Sequence, residues 1–408
     1  MFKKSLFLFG IIVSSLFAQS IVRERPIKQK VDINSYDIKM GDFYLDFAFR
    51  TDIGYDDNTS MSRTEDGRQE GAFSRNGLNF AIYAPINEEF SIDAQFYAGY
   101  LSYLSGDGND DSYELKITSG DTLAIDWEIT ETTKISLVDQ AVIRSQDIDI
   151  ARENKSLDDL ELLTNDIFMQ LYTFDNNANE MGVRVGRRDT ISLNDSNKRL
   201  ELVESYAGTK YLFKLSDRIS LGPYYDYRDY QWSEKVNNDA DEYRTGVEGQ
   251  FKLSPRSILT VGLGLQKLKF DTSNSPLIDD EDEELEGNLL YYKVENPKFN
   301  HYIFARFNRR VSTLSTVNFT DDLLTSYNAT YLPSADTKMV LDITYIDSED
   351  QVPNGEEYAV FRSTLSYNKQ MSENLEFNAS FIYTERNSDI ADSDYDRTQF
   401  EFGFVFDL

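Results

Sequence analysis

The sequence predicts an all-β fold, a transmembrane antiparallel up-and-down β-barrel of about 18 strands, with 16 as the alternative count. Three observations predict it. From residue 42 to the end, segments of roughly 10–15 residues alternate apolar and polar side chains with period two, so one face meets an apolar medium and the other a polar one. The connections between these segments alternate in length, short then long. The aromatic share is 13%, with 27 Phe and 26 Tyr against 2 Trp, which is high for so acidic a chain. Mean hydropathy, −0.50, points toward a soluble protein, but a barrel escapes that measure because only alternate residues face lipid.

The chain opens with Lys3 and Lys4, followed by an apolar run from Leu6 to Leu16 that is too short to span a bilayer. Leu16-Phe17-Ala18 offers a cleavage site before Gln19, so residues 1–18 read as a signal peptide and the mature protein as exported. Residues 19–41 are polar and locally basic (Arg23, Arg25, Lys28, Lys30) and read as a periplasmic N-terminal segment. The barrel is expected over 42–408. Its first strand is the plainest: Phe43, Leu45, Phe47, Phe49, Ile53 and Tyr55 share one parity, and Asp42, Asp46, Arg50 and Asp52 the other. The alternation returns at Phe90–Tyr100, Leu123–Ile129, Tyr243–Phe251 and Leu375–Tyr383.

Short connections are expected at Pro85–Glu89, Thr130–Thr133, Asp175–Asn179, Leu215–Arg218, Ser254–Ser257, Glu295–Lys298, Pro333–Asp336 and Lys369–Asn374. Long polar ones are expected at 57–70, 104–112, 145–165, 188–197, 233–241, 271–286, 311–318, 347–356 and 386–394. Nine long loops and eight short turns give 18 strands with both termini periplasmic. Residues 287–319 are the least regular, because the apolar parity shifts between Leu289/Tyr291 and Tyr292/Val294. Aromatics near strand ends (Phe90, Trp127, Tyr331, Tyr345, Tyr367) fit interfacial girdles.

On the last strand Phe400, Phe402, Phe404, Phe406 and Leu408 share a parity. This resembles the C-terminal signal read by the barrel-assembly machinery, which usually ends in Phe. The first strand carries Gly54-Tyr55-Asp56-Asp57-Asn58, which resembles the opening-strand pattern of a β-barrel porin family of Gram-negative bacteria. The resemblance implies an outer-membrane location and, for some members, a link to exopolysaccharide export or surface biogenesis. Read from the residues alone, the motif is a polar strand end entering a turn, where Asp and Asn are favoured.

Composition excludes much. There is no cysteine and one histidine, His301, so disulfides, thiol chemistry and His-rich metal sites are absent. With 41 Lys+Arg against 71 Asp+Glu, nucleic acid is not an expected partner. G-x-S-x-G, P-loop and H-E-x-x-H motifs are missing, and no enzyme activity, metal or cofactor is expected.

A barrel of about 18 strands encloses an aqueous lumen unless something fills it. The polar parity supplies the expected pore-lining side chains: Asp46, Arg50, Asp52, Asp93, Asp126, Arg184, Asp226, Arg228, Arg244, Glu248, Arg306, Asp342, Arg362, Glu376, Arg397 and Glu401. They either set an ion preference or pair with one another. In the third long loop, Ser156-Leu157-Asp158-Asp159-Leu160 begins like a capped helix, which either narrows the pore or rests on the rim. The acidic runs Asp279–Glu284 and Asp392–Asp396 read as solvated loops, with weak divalent bridging to lipopolysaccharide as the alternative. The leading functional expectation is passive diffusion of small hydrophilic solutes, with cation preference if the acidic excess dominates the lumen. The alternatives are a surface-biogenesis component or a closed structural or adhesive barrel. Outer-membrane lipid is the expected surrounding, and a homo-oligomer is compatible with the sequence.

Overall fold

The computed structural model describes residues 36–59, 68–105, 112–117, 123–145, 161–175, 178–193, 195–234, 238–271, 281–312, 317, 319–352, 355–390 and 393–407. The expected signal peptide and Leu408 lie outside these residues. The strands begin with β1 (Ile38–Met40), β2 (Phe43–Asp56), β3 (Gly71–Pro85), β4 (Phe90–Tyr103), β5 (Ser112–Ile117), β6 (Leu123–Thr130) and β7 (Thr133–Ser145). They continue with β8 (Glu161–Phe174), β9 (Glu180–Ser192), β10 (Leu202–Ser216), β11 (Ile219–Trp232), β12 (Ala240–Ser254) and β13 (Ser257–Phe270). The last are β14 (Glu281–Asn296), β15 (Phe299–Val311), β16 (Phe319–Ser334), β17 (Thr337–Asp350), β18 (Glu357–Ser372), β19 (Leu375–Ser388) and β20 (Tyr395–Asp407).

Apart from β5 and β6, each strand pairs antiparallel with its sequence neighbour, and β20 returns to β2 from Ala48↔Asp407 to Asp56↔Gln399. β5 and β6 both lie between β4 and β7 and form two halves of one stave. Twenty strands, less β1 and with β5 and β6 counted once, give a closed barrel of 18 staves, as expected. β1 is a short annex: Gly41, at φ +65°, turns the chain so that Ile38–Met40 pairs with Phe43–Leu45. Among the described residues, no helix is long and apolar enough to cross a membrane.

The two faces differ as the alternation requires. On β2, Ile53 is 50% exposed while Asp52 is 1% exposed. The same contrast runs around the wall, with exposed apolar side chains on the outer parity and buried polar ones on the inner. Such a pattern is stable only with an apolar medium outside. All eight short turns fall inside their expected segments, the tightest being 131–132, 217–218, 255–256, 297–298, 335–336 and 373–374. In one of these, the hydrogen bond from Lys214 holds the Asp217 carboxyl below the usual carboxylate range.

The long-loop boundaries need correction, because five strands run at least three residues further than expected. Glu161–Asn165, Arg188–Ser192, Glu281–Glu286, Asp347–Asp350 and Arg386–Ser388 all belong to strands. Several of their charges are paired between neighbouring elements, so the ladder outlasts the apolar pattern. Lys267 pairs with Glu281 on the outer face, and Arg386 with Glu356 at 2.8 Å on the inner. The acidic run at 281–284 is therefore strand and not loop. The parity shift expected near 289–294 is also absent. β14 keeps an unbroken register with β13 from Ser257↔Lys293 to Lys269↔Glu281, and Tyr292 and Val294 simply take the inner face.

Candidate functional site

The inner wall gathers most of the buried charge. A continuous ribbon crosses β8 to β14, starting where Arg188 Nη2 lies 3.0 Å from Asp166 and its Nη1 3.3 Å from Glu204. Arg228 follows, 3.3 Å from Glu204 and 3.6 Å from Glu242. Arg244 is 3.6 Å from Glu242 and donates through Nε to Glu286 at 2.7 Å. Arg184 joins at the first acid, 3.3 Å from Asp166, with its guanidinium 3.5 Å from the centre of the Phe168 ring. Acids and arginines alternate along this path, each satisfying the next. A buried charge is tolerable only when paired in this way.

Glycines make room for tyrosines that complete the network. Tyr224 on β11 lies across Gly246 and Gly264 and donates to Glu286 on β14 at 2.7 Å. A Cβ at Gly264 would collide with the Tyr224 hydroxyl and come within 2.6 Å of the Thr245 carbonyl oxygen. Gly264→Ala is therefore expected to displace Tyr224 and destabilise the barrel by about 1–3 kcal/mol, the usual cost of overpacking. The measurement is the urea midpoint of the heat-modifiable gel shift, and an unchanged midpoint would contradict this packing.

A second cluster closes the barrel. Arg397 on β20 donates through Nε to both Asp56 carboxylate oxygens on β2, at 3.0 and 2.9 Å. Thr398 N–H donates to Asp57 at 2.6 Å, and Asn58 Nδ2 donates to the Asp396 carbonyl at 2.6 Å. The Asp56-Asp57-Asn58 stretch thus joins first strand to last, beyond its role as a strand end. Beside it Arg75 pairs with Glu401 and, at 2.9 Å, with Glu114, while Arg50 pairs with Asp52 and lies 3.5 Å from Glu401.

The top of the β15–β16 hairpin leaves the wall. Pairing of β14 with β15 stops at Gly287↔Phe307, yet β15 stays paired with β16 up to Val311↔Phe319. Above the break, Arg309 N–H donates to Gln266 Oε1 at 2.9 Å and Gln266 Nε2 donates to the Arg309 carbonyl at 2.8 Å. Gln266 sits on the inner face of β13, so the hairpin leans into the lumen. Phe319 stacks on Phe270 with centroids 6.1 Å apart, within a cluster containing Tyr230, Ala240 and Leu268. Arg309 pins the arrangement by pairing with Asp282 and Glu284 on β14 and, at 2.6 Å, with Asp321 on β16. The Ser156–Leu160 stretch of the third loop, read as either narrowing the pore or resting on the rim, lies outside the described residues.

All sixteen expected pore-lining residues fall on the inner parity of their strands. Arg184, Arg228 and Arg244 belong to the ribbon, and Arg50, Asp52, Arg397 and Glu401 to the closure cluster. Asp126 pairs with Lys134 at 2.8 Å and Glu248 with Lys210 at 3.2 Å. Asp342 accepts from Asn328 at 3.0 Å and Glu376 from Asn368 at 2.9 Å. Asp93 lines a cavity of about 80 Å³ at the short-turn end with Asp126, Glu128 and Lys134. Asp46, Asp226 and Arg306 stand on β2, β11 and β15. Among the described residues Arg362 forms no ion pair. Sequence reasoning missed Asp56, Arg75, Glu114, Asp166, Glu204 and Glu242, which share the inner parity. It also missed Arg188, Glu286 and Arg386, which stand in segments read as loops. Of the aromatic C-terminal residues, Phe400 and Phe402 are 52% and 53% exposed on the outer face, with Phe404 and Phe406 beside them.

A closed barrel of 18 staves, polar within and apolar without, has the architecture of a porin. Solved structures share it. The chain is similar to OccK2 (OpdF) of Pseudomonas aeruginosa, crystallised with glucuronate, at 10% identity and TM-score 0.51 over 89% of this chain and 98% of that one. It is similar to a BenF-like porin of Pseudomonas fluorescens Pf-5 at 12% identity and TM-score 0.51, over 90% and 100% of the two chains. These likenesses establish the fold. No family model and no curated protein matches the sequence.

Proposed function

We propose that this protein is an outer-membrane channel for passive diffusion of small hydrophilic solutes. The observation that carries the reading is the closed 18-stave wall, with charged side chains on its inner face and apolar ones on its outer face. In this reading the short turns and both chain ends are periplasmic, the long loops are external, and residues 1–18 are removed on export. The sixteen inner residues line the path, and Phe400, Phe402, Phe404, Phe406 and Leu408 serve recognition by the barrel-assembly machinery. Lipopolysaccharide and lipid surround the outer face. No catalytic role enters.

Cation preference belongs to the same proposal, from the overall excess of 71 acidic over 41 basic residues. Because the ribbon arginines and acids pair along the wall, the preference is expected to be modest. Reversal potentials under a salt gradient test its sign, and an anion-biased potential would overturn the cation assignment while leaving the channel intact. For the channel itself, vesicles carrying the protein are expected to swell in isotonic small sugars faster than empty vesicles. Equal rates would contradict diffusion.

A further inference from the structure

Three adjacent strands, β7, β8 and β9, carry no aromatic side chain on the outer face, although every other stave except β13 does. This face turns polar near mid-strand at Asp139 and Arg187, and nearer the long-loop end at Asn165 and Asp189. Asp139 stands between Leu137 and Ile143 on β7, Asn165 between Ile167 and Leu163 on β8, and Arg187 and Asp189 between Val185 and Ile191 on β9. Apolar residues thus bracket Asp139 and Arg187 along their strands, which places these two inside the apolar band.

The register makes it one cluster, with Asp139↔Ile167, Ile167↔Arg187 and Asn165↔Asp189 as Cα partners. Arg187 is held toward Asp189 through Nε at 2.9 Å and Nη2 at 2.8 Å, yet its side chain stays 61% exposed. Asp139 Oδ1 and Asn165 Oδ1 are shielded and accept no hydrogen bond among the described residues. Beside the cluster the wall is concave, about 630 Å³, over Leu137, Met169, Val185, Ser205 and Ala207.

Charged side chains on a lipid-facing wall are costly, more so toward mid-depth. The small side chains of Ser205 and Ala207 allow close approach of another surface. The cluster itself offers both signs: a carboxylate at Asp139 on β7, to one side of Ile167, and an exposed guanidinium at Arg187 on β9, to the other. A two-fold axis near Ile167 brings Arg187 of each copy to Asp139 of its partner, the self-complementarity that an isologous interface requires. A phosphorylated lipid headgroup fits less well, because Asp139, Asp189 and nearby Asp229 outnumber Arg187.

We infer that the outer face of β7–β9 is the contact surface for a second copy of this chain, paired about an axis near β8. The inference rests on the membrane placement proposed above, and does not depend on whether the lumen conducts.

The test uses the full chain, which has no cysteine of its own. Ile167→Cys, oxidised in native membranes, is expected to give a disulfide-linked dimer, whereas Leu365→Cys on the outer face of β18 stays monomeric. Arg187→Asp in the Ile167→Cys background is expected to abolish the dimer band, and Asp139→Arg with Arg187→Asp to restore it. An Ile167→Cys barrel that keeps its heat-dependent gel shift but stays monomeric would overturn the inference. A dimer indifferent to Arg187→Asp would overturn the assigned contact. A monomer that loses bound lipopolysaccharide on Arg187→Asp would assign the cluster to lipid instead. Folded protein recovered outside the membrane fraction would overturn the membrane placement, and this inference with it.

Discussion

Replacing Arg309 by alanine is expected to free the β15–β16 hairpin from the wall and to raise channel conductance, with frequent substates. Three carboxylates, Asp282, Glu284 and Asp321, converge on this one guanidinium. Its central carbon lies over Phe319, 4.6 Å from the ring centre. Alanine removes the counter-charge and leaves three acids facing one another. Losing a charge-assisted contact of this burial costs about 2–3 kcal/mol. That corresponds to a shift of roughly 30- to 150-fold between docked and undocked hairpin. The Gln266 amide bonds to the Arg309 backbone persist in the variant, so the hairpin is expected to sample both positions and not simply to unfold. Arg309→Lys restores a point charge without the fork, and an intermediate conductance is expected. Single-channel records identical to the parent protein would show that the latch does not govern the lumen.

The second large effect is expected at the seam. Asp56 is fully buried and Arg397 nearly so, and the pair joins the first stave to the last. Asp56→Ala leaves the Arg397 guanidinium buried without its carboxylate. Breaking a buried pair from one side costs roughly 3–5 kcal/mol. Replacing both partners by apolar residues costs less, so Asp56→Ala with Arg397→Leu is expected to recover part of the loss. The readout is the urea concentration at which the folded gel band disappears. A double variant as unstable as the single one would show that the seam depends on something other than the ion pair.

Much of this architecture is legible in the sequence because a barrel wall separates two media. Phe43 to Tyr55 and Asp46 to Asp52 take opposite parities for that reason, and the same logic finds the short turns and the count of 18 staves. Loop-end boundaries are less legible. Arg188, Glu286 and Arg386 look like loop residues, yet each is a strand residue satisfied by a partner from another element. Periodicity reports the faces of a strand and not its partners. The purpose of Asp56-Asp57-Asn58 could not be read, because Asp56 and Arg397 lie 341 residues apart. The latch is hidden for a further reason. Arg309 has the outer parity of β15, and only departure of that strand from the wall turns it toward Asp282 and Glu284. Nothing in the alternation marks where a strand leaves its sheet. The outer polar cluster at Asp139, Asn165 and Arg187 needs register as well as parity, since three strands must be aligned before it appears.

Single-channel recording of the purified, refolded protein in planar bilayers tests the central claim most directly. A diffusion channel predicts stepwise openings whose current is linear in salt concentration, from protein that shows the heat-dependent gel shift of a folded barrel. A folded, inserted barrel that stays electrically silent would contradict the account and leave a closed structural barrel in its place.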